Sequence, residues 1–194
     1  MLQLVGARIL FKDETKMILS FDGKTPKIDD SAFISESACI IGDVEIHENS
    51  SIWPGAVIRA DLAKITIGKN CAVEDNCVIH SGSPSTDDSL CDVTIGDNVL
   101  IGHGAVLNCR SIGNYVMIGM NSTILHDVDI GNYCLIGAAS MVGQGMKIPD
   151  KSFVTGCPAK IKKAVTPNQL FWLEQAPDNY VKLAEKYKKE LNQK

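Results

Sequence analysis

Four histidines stand in the chain, at positions 47, 80, 103 and 126, and two of them sit where chemistry is plausible. His103 lies in IGHGAVLNCRSIG, with Asn108 five residues later. His80 closes the segment IGKNCAVEDNCVIH, which also carries Glu74. Imidazoles at a fixed spacing are common ligands for a transition metal at neutral pH. A neutral carboxamide is a poorer zinc donor than imidazole or thiolate, so Asn108 is the weak member of such a set. His47, in EIHENSS, reads as a tolerated surface residue. The seven cysteines include no C-x-x-C pair and read as reduced thiols in a cytoplasmic protein, several of them packed among aliphatics.

The elements that position these residues follow from a repeat. Stepping by six from Leu100 meets Val106, Ile112, Ile118, Ile124, Ile130, Ile136, Val142, Ile148 and Val154 without a miss. Ile40, Ile46, Ile52 and Ile58 make an earlier run. A period of six fits neither an amphipathic helix nor a plain alternating strand. It is the hexapeptide pattern of a parallel β-helix, an all-β fold of short strands and corners wound as a triangular prism. Glycine follows the apolar residue in many turns, among them Gly42, Gly68, Gly96, Gly102, Gly113, Gly119, Gly131 and Gly137. It is expected to relieve crowding at the corners, where φ is unusual. Roughly six coils at the ~4.8 Å strand spacing give a prism about 30 Å tall.

The flanks differ. Residues 1–30 lack the beat; MILSFDGKTPKI reads as strands around an Asp22-Gly23 turn that caps one end of the β-helix, which occupies 31–164. In the helical segment 165–194, Thr166-Pro167 starts a helix, Pro177 is expected to interrupt it, and Asp178 to restart it. Tyr180, Leu183, Tyr187 and Leu191 then share one face at helical spacing. One break in the beat is a loop at about 81–91: Gly68 to Gly96 spans 28 residues where Gly96 to Gly113 spans 17. Asp87 and Asp88 in that loop read as solvated.

The glycines also set a register. His80 and Asn108 each lie 12 residues after a repeat glycine, so they stack on adjacent coils. His126 precedes Gly131 by five, as Asn108 precedes Gly113, which places it in the same column. His103 pairs instead with Asp75, seven residues after the same glycines, on another edge of the prism. Two edges of one prism do not share a small ion easily, whereas edges of neighbouring subunits in a threefold ring do. The net charge of −4 and the absence of a basic patch argue against nucleic acid. No apolar run reaches the length of a membrane span, and the N-terminus carries no recognisable signal peptide.

These stretches resemble the γ-class carbonic anhydrases and their hexapeptide-repeat relatives. The resemblance runs over about residues 28–163, through SIWPGAVIRAD, IGKNCAVEDNCVIH, TIGDNVLIGHGAVLN, IGNYVMIGMNS and VTGCPAKIKK. It implies a left-handed β-helix homotrimer with zinc, or another divalent metal such as Fe2+ or Co2+, held at subunit interfaces by three histidines. By that resemblance His80 is the first ligand and His103 the cross-subunit one, while Asn108 stands at the third ligand position. It also marks Arg59 and Asp61, here in RAD, as an interface ion pair, and places Glu74 where a glutamine orients metal-bound water. PKIDDSAFISESACIIGDV and GMNS look most like the carnitine-operon and phenylacetate-degradation branch, some of whose members are associated with acyl-CoA thioester hydrolysis.

The implied activity is reversible hydration of CO2 by a metal-bound hydroxide, weakened by the missing imidazole. Asn108 ligating weakly or through a water, Glu74 supplying a carboxylate, and His126 reaching across one coil are the open ways to complete the shell. A hexapeptide acyltransferase or acyl-CoA thioester hydrolase on the same scaffold is the alternative. In that case His80, at the root of a loop that has no histidine, would serve as the base. A non-catalytic trimeric module is the third reading.

Overall fold

The computed structural model describes residues 17–82 and 92–191. The first turns are built by β1 (Met17–Leu19), β2 (Lys27–Ile28), β3 (Phe33–Ile34), β4 (Cys39–Ile46), β5 (Ser51–Ile52) and β6 (Val57–Ile67). The middle turns use β7 (Ala72–Val73), β8 (Val78–His80), β9 (Val93–Ile95), β10 (Leu100–Ile101), β11 (Val106–Leu107) and β12 (Ser111–Ile112). Next come β13 (Met117–Ile118), β14 (Thr123–Ile124), β15 (Asp129–Ile130), β16 (Leu135–Ile136), β17 (Met141–Val142) and β18 (Lys147–Ile148). The chain ends in β19 (Ser152–Gly156), β20 (Ala159–Ala164) and the helix α1 (Pro167–Leu191).

The strands wind as a parallel β-helix of about seven turns, one more than the repeat count suggests. One face stacks β3, β5, β7, β10, β13, β16 and β19. The other two faces form a single 12-stranded sheet, because the long strands β4 and β6 continue around a corner. Among the described strands only β20 runs antiparallel, folding back on β19. At the other end β1 and β2 both pair with β4, on either side of a tight turn in which Asp22 and Gly23 have φ of 48° and 73°. Residues 1–16 of the expected N-terminal segment and 83–91 of the expected loop, with Asp87 and Asp88, lie outside the described residues.

The core is a stack of inward-pointing aliphatics: Ile40, Ile46, Ile52, Ile58, Ile79, Ile101, Leu107, Ile118 and Ile124 are all essentially inaccessible. The expected frame of six is therefore displaced over its first two steps. Ile101 and Leu107 fill the interior, while Leu100 packs outward under α1 and Val106 is 38% exposed. The cause is a corner one residue short. Leu107 and Ile112 are both inward but only five apart, whereas Ile124 and Ile130 are six apart. Sterics in a strand then assign the face to the neighbouring residue.

The corner glycines also work differently from expectation. Of the eight singled out, only Gly42 has positive φ. The others are required by close stacking: a Cβ on Gly119 would lie 2.4 Å from the Ala138 nitrogen, and one on Gly68 2.5 Å from the Gly96 oxygen. Five of the left-handed positions are instead taken by Asn49, Asn70, Asn76, Asn98 and Asn121, a residue type that tolerates this region, and others by residues such as Tyr115, Tyr133, Ala139 and Lys151.

α1 begins at a capping box. Thr166 Oγ1 accepts from the Gln169 N–H at 3.3 Å, and Gln169 Oε1 accepts from the Thr166 N–H at 2.8 Å. The helix runs unbroken through Pro177, contrary to the expected restart at Asp178. The proline is buried along with Leu173, Ala176 and Ala184, so packing against the prism offsets the lost helical hydrogen bond. The face expected to dock does so only in part: Leu183, Tyr187 and Leu191 are all exposed, while Tyr180 and one side of the Tyr187 ring pack on Trp53. No helix of the described residues is long and apolar enough to cross a membrane.

Candidate metal centre

The residues singled out from sequence gather in two clusters flanking the face made by β8 and β11. At the end of that face, Arg59 in β6 is in register with His80 in β8. Val78 and Ile79 pair with Val106 and Leu107, which puts Asn108 directly over His80 on the next coil. Arg59 is ion-paired with Asp61, and Asp61 Oδ1 lies 2.9 Å from His80 Nε2. Burial would raise the Asp61 carboxyl, but hydrogen bonds from His80 and Arg59 outweigh it and hold the group below the usual carboxylate range. Asn108 Nδ2 donates to the His80 main-chain carbonyl at 3.2 Å.

The second cluster sits at the corner that starts the same face. His103 lies between β10 and β11, and Asp75 occupies the equivalent place one coil earlier, since Leu100 and Ile101 pair with Ala72 and Val73. His103 Nε2 is 2.9 Å from Glu74 Oε2, and Nδ1 is 2.9 Å from Asp75 Oδ2. The His103 main-chain N–H also donates to Glu74 Oε2, at 3.0 Å. Glu74 is only 5% exposed, so it is no surface acid, and its other oxygen accepts from the Tyr180 hydroxyl on α1.

His126 does not join the Asn108 column. β11 pairs with β14 so that Asn108 faces Leu125, and His126 falls in the following turn. The one-residue deletion after Leu107 that displaces the core frame also displaces this count. Asp75 and Tyr180 are the site neighbours that sequence reasoning missed as participants. Asp75 is signalled by its register with His103, whereas nothing local in the helix marks Tyr180. Cys77 and Cys109 lie close by, but burial pushes their thiols up to about 11 and about 12, which leaves them poor nucleophiles at neutral pH.

A cavity of about 410 Å³ opens between α1 and the strands, lined by Leu100, Met117, Met120, Leu135, Trp172 and Tyr180 with Glu74 at its polar end. The bare backbone of Gly102, Gly119 and Gly137 contributes to its wall, so glycines that coil stacking demands also make room for the cavity.

Among the described residues, no three His, Cys, Asp or Glu side chains within one chain gather as a metal site. The donor set that remains is two imidazoles, on different edges, and one amide oxygen. Only an N–H can donate to a carbonyl, so the bond to His80 fixes the Asn108 amide and leaves Oδ1 without a donor among the described residues. That set fits a divalent ion that accepts mixed nitrogen and oxygen donors, and it suits zinc less well than three imidazoles would. His103 would exchange one of its carboxylate partners for the ion.

Two hexapeptide models match the chain: "Bacterial transferase hexapeptide (six repeats)" over residues 111–144 and "Hexapeptide repeat of succinyl-transferase" over 92–126. A carbonic anhydrase of Geobacillus kaustophilus is 37% identical over 172 residues, 89% of this chain and 91% of its own length. The mitochondrial gamma carbonic anhydrase 2 of Arabidopsis thaliana is 32% identical over 170 residues, 88% of this chain but only 61% of that longer protein. A hexapeptide transferase family protein from Anaplasma phagocytophilum superposes with a TM-score of 0.82 at 32% identity, covering 89% of this chain and 98% of its own. The pattern of repeats and these similarities agree: the chain belongs to the γ-class carbonic anhydrase-like family of hexapeptide-repeat proteins.

Proposed function

We propose that the chain acts as a homotrimer that hydrates CO2 reversibly to bicarbonate. Its divalent-metal sites would be assembled from His80 and Asn108 of one subunit and His103 of the next. The observation that carries this reading is the separation of His80 and His103 onto opposite edges of one face, with the Asn108 carboxamide stacked on His80. A divalent ion at such a site supplies an activated water nucleophile near neutral pH. The chain's own residues prepare the site for it. Asp61 accepts from His80 Nε2 and fixes the ring, and Arg59 neutralises the charge that Asp61 brings. Glu74 holds His103 and is the buried acceptor nearest the ring, while the more exposed Asp75 gives a proton a way to solvent. The amide at position 108 makes binding weaker than in a three-imidazole site.

Metal analysis and stopped-flow CO2 hydration, on the native protein beside Asn108→His, test the proposal. Metal and activity in the native trimer support it. A native protein that neither binds metal nor hydrates CO2, beside a variant that does both, rejects it, as does a monomer on gel filtration.

The apolar cavity beside Glu74 favours a second reading, hydrolysis or transfer of an acyl group from an acyl-CoA thioester. Quenching of Trp172 fluorescence by acyl-CoA, strengthening with chain length and accompanied by thiol release, would support it. Absence of both would dismiss it.

A further inference from the structure

We infer that Tyr180, on the C-terminal helix, is a positioning residue for His103 and acts through Glu74; its consequence for metal binding rests on the function proposed above. The contact joins residues 106 apart in sequence, and the only other polar contact of the helix with the prism among the described residues is Lys188 on the Asp30 and Ser31 carbonyls. Glu74 is buried and has three donors: the His103 main-chain N–H and ring Nε2 on Oε2, and the Tyr180 hydroxyl on Oε1. Glu74 otherwise lines the cavity together with apolar residues such as Leu100 and Met117. Without the hydroxyl, Oε1 is left unsatisfied, and the carboxylate gains by rotating toward whatever donor remains.

Rotation of Glu74 moves its partner. His103 is half-exposed, at a glycine-flanked corner, and its ring is held by Glu74 on one side and Asp75 on the other. Asp75 is far more exposed than Glu74 and is the looser of the two holds. Tyr180 is itself fixed. Its ring meets Trp53 edge-on at 6.0 Å, and Trp53 is pinned by its indole N–H on Ser51 Oγ at 3.0 Å. Rigidity therefore passes from the packed aromatic cluster of the helix, through one hydroxyl and one carboxylate, to the imidazole. Outer-shell groups that orient a histidine ligand in this way typically affect metal affinity by roughly 10–100-fold.

The test compares Tyr180→Phe with Tyr187→Phe in the intact trimer; the second is a control on the same helix that keeps its ring packing and lies away from Glu74. In the metal-free protein, imidazole 1H–15N spectra of His103, assigned with His103→Gln, are expected to shift or broaden in Y180F and to stay as in the native protein in Y187F. Competition titration with Co2+ is expected to show affinity lowered roughly 10-fold or more in Y180F alone, with a changed visible spectrum. Glu74→Gln gives a second route should Y180F fold poorly. Its amide still accepts from Tyr180 but weakens the hold on Nε2, and it is expected to perturb the same His103 signals. Unchanged His103 spectra in Y180F, or in E74Q should that be the variant that folds, overturn the inference. If the native protein binds no Co2+, the function proposed above fails, and the metal-free spectra still decide the role of Tyr180.

Discussion

Asn108 donates its side-chain amide to the main-chain carbonyl of His80, one coil below, at 3.2 Å. The bond makes the carboxamide part of the β-helix ladder and dictates which of its atoms is left for a ligand. Replacing Asn108 by His adds an imidazole beside His80 on the same edge. Metal affinity is expected to rise by roughly two orders of magnitude, because zinc prefers nitrogen to a neutral amide oxygen. Competition titration against a chelator measures it. An affinity equal to the native one would mean that position 108 does not face the ion.

The displaced frame of the core makes a sharp prediction at two adjacent residues. Leu107→Ala removes a fully buried side chain and should cost about 2–5 kcal/mol. Val106→Ala, at an exposed position, should cost under about 1 kcal/mol. Denaturant unfolding of both variants checks this, and the reverse order would restore the unshifted frame of six.

Among the glycines, Gly119→Ala drives a Cβ to 2.4 Å from the backbone of the next coil and should destabilise by about 1–3 kcal/mol. Gly143→Ala meets nothing within 4 Å and should be neutral or slightly stabilising. Thermal melts of the pair separate a stacking requirement from a general need for chain flexibility.

The pH dependence of stability should show at Asp129, away from the site. Its carboxyl lies well below the ordinary range, held there first by the Arg110 guanidinium, against a burial effect that would raise it, and also by Lys147 and Ser111. A depressed folded-state pKa stabilises above the unfolded value of about 3.9 and loses that contribution as pH falls through the folded value. Asp129→Asn should therefore cost about 1 kcal/mol at pH 7, discounted for solvent screening of partly exposed groups, and the difference should shrink below about pH 4. Urea titrations at pH 7, 4 and 3 provide the check; a gap that persists undiminished at pH 3 would contradict the ion pair.

Much of the site was readable in advance because register on a β-helix is arithmetic. Gly68, Gly96 and Gly113 do share a column despite spacings of 28 and 17, since Ile67, Ile95 and Ile112 are paired in sequence. That arithmetic stacks Asn108 on His80 and His103 on Asp75. It fails where a corner drops a residue, as between Leu107 and Ile112, and His126 is misplaced for that reason alone.

The six-residue beat by itself determined the winding of the chain and which edges His80 and His103 occupy, because strand alternation and coil stacking are local and repetitive. Only the tertiary structure decided the path of α1 over the prism, the survival of the helix through Pro177, and the burial of Glu74 between His103 and Tyr180. Those outcomes come from packing between segments about a hundred residues apart. There the apolar surface buried under the helix, and the need to satisfy a carboxylate beneath it, outweigh any propensity written in the neighbouring residues.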